Sequence, residues 1–332
     1  MISSREVIPQ PGERWLLRHD GRCYAIPAAL GRRLREGEDA PGLEEALAAD
    51  QGRPGPAGGR TLWLKLPLVP TRLVERAARA LTALVSWRGL ALSASIGGVG
   101  YLAAALTGMP PGRDFDWPGL VLCLVSAGLV HELGHAAALV RGGGRPGGVG
   151  IGMLFVFPAL YCDVTAVALL PRRERVRVDA AGVAWHLAAG GGLALGGVVL
   201  GVPTLSVASW GVLAAVVWSL LPFLRTDGYW LLCDLLGARV LEELAPVGAT
   251  WRLRAILIAW RVGYLLFLGF MTSVLIGRLK WLVSLSATWR SVERVCIILV
   301  VAFIGVVVSI HMVRRGVLLG RGVWRDARGR VQ

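Results

Sequence analysis

His131-Glu132-Leu133-Gly134-His135 places two imidazoles four residues apart. On a helix that spacing stacks both rings on one face, one turn apart. There they can grip a zinc ion while the carboxylate beside the first ring takes and returns protons. Catalytic zinc has three protein ligands and a fourth position open to water, so the pair needs a partner from elsewhere in the chain. Asp227, within Leu224-Arg225-Thr226-Asp227-Gly228-Tyr229-Trp230, is the candidate, and Gly228 beside it permits a backbone break next to the ion. The alternative for Asp227 is a helix cap. In the ligand reading, His131, His135 and Asp227 hold zinc and Glu132 is the general base. His19 and His311 are incidental.

The elements that must position these groups are apolar. Of 332 residues, 55% are hydrophobic and 17% charged, against about a quarter charged in soluble domains. Six stretches approach the ~20 residues that cross a bilayer: 90–109, 117–140, 180–202, 204–224, 255–277 and 295–313. The His-Glu-x-x-His run lies inside the second. Ionisable groups at that depth are costly and mark function. Arg261 interrupts the fifth stretch and can snorkel to its edge. Buried helices of a soluble protein are the competing reading, and six such stretches in one chain argue against it.

The net charge of +14 raises nucleic acid as a partner. Its distribution points instead to a membrane. Arg141, Arg145, Arg172, Arg173, Arg175 and Arg177 follow the second stretch, Arg225, Arg239, Arg252 and Arg254 the fourth, and Arg314, Arg315, Arg321, Arg325, Arg328 and Arg330 the sixth. With the N-terminus inside, all three segments are cytoplasmic, as the positive-inside rule requires, and no nucleic-acid partner is expected. The segment 278–294, with Arg278, Lys280, Arg290 and Arg294, is an exception to that pattern. The five cysteines are scattered without a Cys-x-x-Cys pair, which excludes a disulfide framework or zinc knuckle. The polar start Met1-Ile2-Ser3-Ser4-Arg5-Glu6 has no apolar segment of a cleavable signal, so the first residues are expected in the cytosol.

The expected fold is an all-α polytopic membrane protein of about six transmembrane helices. A small α+β unit, 1–52, precedes it. There Arg14–His19 and Arg22–Pro27 flank the turn signal Asp20-Gly21, and short helices are predicted at 28–35 and 43–49, a winged-helix-like pattern. Residues 53–70, rich in Pro and Gly at their start, read as a linker. The membrane domain covers 71–313 and a basic tail 314–332. Residues 71–85 read as an amphipathic lead-in, either an interfacial helix or an extension of the first span. Residues 149–167 read as a β-hairpin or re-entrant loop, interrupted by Pro158, that must line a cavity or be covered by protein.

The zinc motif together with the later Asp-Gly motif resembles the site-2 protease family of intramembrane zinc metalloproteases. Arg225-Thr226-Asp227-Gly228-Tyr229-Trp230 and the glycine-rich and aromatic segment before Leu170-Pro171-Arg172-Arg173-Glu174-Arg175 resemble a branch linked to bacterial maturation of ribosomally made peptides. The unit 1–52 resembles, more loosely, a PqqD-like leader-peptide recognition element. The resemblance covers 66–236 well. It implies an integral protein of the bacterial cytoplasmic membrane, a zinc cofactor, and a peptide or membrane-protein segment as substrate. The family carries Ala-Gly-Pro-x-x-Asn at the start of its third core span, where this chain has Ala181-Gly182-Val183-Ala184-Trp185-His186. His186 thus occupies the position expected to contact substrate or the oxyanion. It alternatively coordinates zinc or bonds a backbone carbonyl. Leader removal from a peptide precursor is the function this implies. Regulated proteolysis of a membrane-bound regulator, and a non-proteolytic transporter or immunity protein, are the alternatives.

Overall fold

The computed structural model describes residues 6–9, 14–19, 22–37, 43, 53–54, 62–108, 115–154, 157–237, 241 and 250–285. The predicted sixth span, the basic tail and nearly all of the predicted helix 43–49 lie outside them. The described chain falls into two units, 1–237 and 238–332.

In the first unit, β1 (Glu6–Pro9), β2 (Arg14–His19), β3 (Arg22–Pro27) and the two-residue β4 (Arg53–Pro54) form an antiparallel sheet in that order. The predicted pair β2–β3 runs in register from Arg14 opposite Pro27 to His19 opposite Arg22. Helix α1 (Ala28–Arg35) turns Leu30 and Leu34 to the sheet, where they pack on Leu17, Tyr24, Ile26 and Leu43. A Cβ on Gly31 would come within 2.5 Å of the Trp15 ring, so glycine lets α1 lie flat on it.

A second sheet corrects the linker reading of 53–70. Eight residues of that segment, Leu62–Val69, form β5, which pairs with β6 (Val149–Leu154), and β6 pairs with β7 (Phe157–Cys162). The alternation of apolar residues from Leu62 to Val69 was the local signal for this strand. The hairpin expected at 149–167 is therefore the β6–β7 half of a three-stranded sheet. Pro158 does not break β7. Asp163 N–H donates inward to Gly148 at 3.1 Å, so the alternate residues 162, 160 and 158 turn their backbone nitrogens to the outer edge, where proline's missing N–H costs no ladder bond.

Helix α2 (Thr71–Ala80) is separated by a turn from α3 (Trp87–Thr107), so the lead-in is not an extension of the first span. Val74 and Ala78 are its buried stripe, and it packs against α4 (Trp117–Arg141). After the 3-10 turn Thr165–Leu169 comes α5 (Arg172–Leu200), then α6 (Pro203–Leu220) and the short α7 (Asp227–Leu236). In the second unit, α8 (Trp251–Leu285) is one 35-residue helix.

Among the described residues, five helices, α3, α4, α5, α6 and the Trp251–Val274 part of α8, are long and apolar enough to cross a membrane. At most 39% of any apolar window is buried inside the protein. Leu92, Ile96, Val99, Leu102 and Leu106 on α3 and Val121, Leu122 and Val125 on α4 point outward. A soluble core helix would bury such residues, so these faces meet lipid and the chain is an integral membrane protein.

Helix α5 is the centre of the first unit and packs on α3, α4, α6 and α7. Small residues permit this. A Cβ on Gly100 would come within 2.3 Å of the Gly191 carbonyl oxygen, and one on Gly191 equally close to that of Gly97, so the two backbones touch. Helix α5 begins eight residues before the apolar stretch predicted from 180. Its first turns are held by polar contacts that hydropathy does not register. Arg175 Nε donates to Asp234 Oδ1 at 2.9 Å, and Arg172 donates to the carbonyls of Asp234 and Leu235 at the end of α7.

Candidate metal centre

The motif sits on α4 about 9–15 Å of helix rise before the terminal Arg141, by ~1.5 Å per residue. Asp116 N–H donates to Thr204 Oγ1 at 2.9 Å, so α4 and α6 start side by side and run the same way. Asp227, which follows α6 after a short turn, therefore arrives at the depth of the two histidines. A Cβ on Gly228 would come within 2.1 Å of the Leu220 carbonyl oxygen, so glycine is what allows α7 to start tight against the end of α6.

The three sequence-predicted ligands converge. His131 Nε2 lies 3.1 Å from His135 Nε2 and 3.2 Å from Asp227 Oδ2, and His135 Nε2 lies 3.3 Å from Asp227 Oδ1, so each imidazole faces its own oxygen of one carboxylate. One ligand atom from each residue can be chosen with all three within 4.8 Å of one another, close enough to share a metal ion. Among the described residues, these three form the one group of histidine, cysteine or acidic side chains close enough to share an ion, and His186 is not in it.

Outer contacts orient the ligands. His135 Nδ1 is 2.7 Å from the Val178 carbonyl on α5. A carbonyl only accepts, so Nδ1 carries the proton and Nε2 keeps its lone pair for the ion. The same helix passes so close that a Cβ on Gly182 would land 2.2 Å from His135 Nε2. Gly182→Ala is thus expected to displace the imidazole and to lower metal content in purified protein, read by elemental analysis, while the protein still inserts. Retained metal would show that α5 yields there. The Arg175–Asp234 pair ties α7, and with it Asp227, to α5. Arg175→Gln is expected to lower metal affinity by less than the roughly 10–100-fold that loss of a partner bonded directly to a ligand costs, measured by competition with a chelator.

Glu132 lies outside the ligand group. One of its oxygens accepts the Cys162 N–H at 2.6 Å, which brings the outer edge of β7 to the carboxylate. The Cys162 thiol is buried, and burial, with Glu132 and Asp163 nearby, pushes it well above its ordinary value, so it is no nucleophile here. His186 is buried on α5 with its ring edge-on to His131, centroids 4.9 Å apart. Its Nδ1 has no hydrogen-bond partner among the described residues, so the backbone-carbonyl reading is not met at that atom. The side chains of His131 and Asp227 keep 12% and 22% exposure, which leaves the centre reachable from one side.

Sequence reasoning missed the Val178 carbonyl, Gly182, the Cys162 N–H and the Arg175–Asp234 tie. Only Gly182, a small residue in an apolar helix, left a signal. Comparison with family models, with curated proteins and with solved structures found no match.

Proposed function

We propose that the chain is a zinc-dependent endopeptidase of the bacterial cytoplasmic membrane, with its N- and C-termini on the cytoplasmic side. The observation that carries this reading is the triangle of His131, His135 and Asp227 with Glu132 beside it but outside it. Two imidazoles and one carboxylate fit zinc and leave a coordination position open. When bound there, zinc supplies a Lewis acid that acidifies water and polarises a carbonyl. Glu132 takes the proton of the attacking water and delivers it to the leaving amine. The Cys162 N–H bond to one carboxylate oxygen fixes the side chain and leaves the other oxygen for that exchange. The unused Nδ1 of His186 suits donation to the oxyanion or to a substrate carbonyl.

The outer edge of β7 offers the backbone groups of Leu160 next to Cys162, and an extended substrate added there lies along Glu132. A substrate helix must unwind to do so. The substrate class is a peptide precursor or membrane-associated segment, and leader removal in ribosomal-peptide maturation is the specific case that the sequence resemblance favours. The test is incubation of the purified protein, in lipid nanodiscs, with candidate precursors and analysis by mass spectrometry. Cleavage is expected, is lost on treatment with a zinc chelator and returns with added zinc. Cleavage that persists after metal removal would overturn the reading.

A further inference from the structure

A groove of about 700 Å³ opens at the polar end of the helices, between the turn after α2, the end of α4 and the start of α5. It is lined by Thr82, Val140, Arg141, Pro171, Glu174 and Arg177, with Gly142 at the α4 terminus. Arg177 is 9% exposed as a residue and its side chain 10% exposed. Its Nη1 donates to Glu174 Oε2 at 2.5 Å and the Trp87 ring lies over it at 5.5 Å, yet its buried Nε has no hydrogen-bond partner among the described residues. A buried guanidinium N–H without an acceptor is costly, so Arg177, which lines the groove, gains by turning toward an acceptor that enters it.

Two further features fit the same ligand. Arg141 lies on the groove and is anchored by Nη1 to the Thr82 carbonyl at 2.9 Å. Val140, the last apolar residue of α4, and Trp87, the first residue of α3, place the groove where the hydrocarbon layer ends. Basic pockets between helices at that level take lipid phosphates.

We propose that this groove binds an anionic, phosphate-bearing group, with the guanidinium groups of Arg177 and Arg141 as its donors and a phospholipid headgroup as its source. Glu174 competes for Arg177 and limits the affinity. This site is separate from the metal centre and stands whether or not the chain is a peptidase.

The test uses full-length protein in a neutral detergent, titrated separately with short-chain phosphatidylglycerol, phosphatidylcholine of the same chain length and inorganic phosphate. Binding is followed by native mass spectrometry and by the thermal midpoint. Phosphatidylglycerol is expected to bind and to raise the midpoint, phosphatidylcholine to do so less. Arg141→Gln is expected to weaken it roughly fivefold, and Glu174→Gln, which frees Arg177, to tighten it. Arg76→Gln, an exposed change on α2 away from the groove, leaves it unchanged. Equal effects of inorganic phosphate would assign the site to free phosphate. Equal binding of both lipids, equal loss in Arg76→Gln and Arg141→Gln, or no response to Glu174→Gln would overturn the proposal.

Discussion

Glu132→Gln is expected to lower the rate of peptide-bond cleavage by about 10²–10⁴-fold, the range that general acid–base catalysis supplies, with metal content unchanged. The side chain keeps its volume, and its amide oxygen still accepts the Cys162 N–H, so β7 stays against α4. None of the three ligand atoms is touched. What disappears is the group that accepts a proton. Mass spectrometry of a candidate precursor, coexpressed with the wild-type chain or with the variant, reads the outcome, alongside elemental analysis of each purified protein. Equal cleavage by both would remove the peptidase reading. Unprocessed precursor in both would point to a different substrate, or to transport or immunity.

Asp227→Ala is expected to cost more metal affinity than the roughly 10–100-fold that an outer-shell change costs, because it removes a ligand and leaves two neutral imidazoles. The comparison with Arg175→Gln is the informative one. Both act on α7, but Arg175 reaches Asp227 only through the Arg175–Asp234 pair that anchors the helix. If Asp227 were merely the first residue of α7 with no role at an ion, Asp227→Asn would leave metal content unchanged and lower stability alone. If it is a ligand, Asp227→Asn loses metal and the thermal midpoint of the metal-free protein moves little. Competition with a chelator, run in parallel with thermal unfolding of metal-free protein, separates the two.

Sequence and structure divide according to how local each feature is. The spacing of His131 and His135 is a property of one helical turn, so it was readable without a fold. The apolar stretches were readable for the same reason, since a bilayer imposes a length and a composition on contiguous residues. Five of the six correspond to helices able to cross a membrane, and the sixth lies outside the described residues. The strand Leu62–Val69 was missed because its apolar alternation acquires meaning only when β6 lies beside it, more than eighty residues later. The early start of α5 was missed because Arg172 and Arg175 are helical by virtue of their bonds to the end of α7.

The same division runs through the site. By itself the sequence determined the chemistry available: two imidazoles, a carboxylate beside them, a later Asp-Gly as candidate third ligand, and an apolar setting for all of them. Only the tertiary structure decided that Asp227 reaches both rings, that the Val178 carbonyl sets the His135 tautomer, that Gly182 leaves room for the imidazole and that the edge of β7 touches Glu132. These are contacts between segments far apart in the chain. Their geometry is set by how closely glycine-bearing helices approach and by which backbone groups a sheet edge leaves unpaired, and neither is a property of any one stretch of residues.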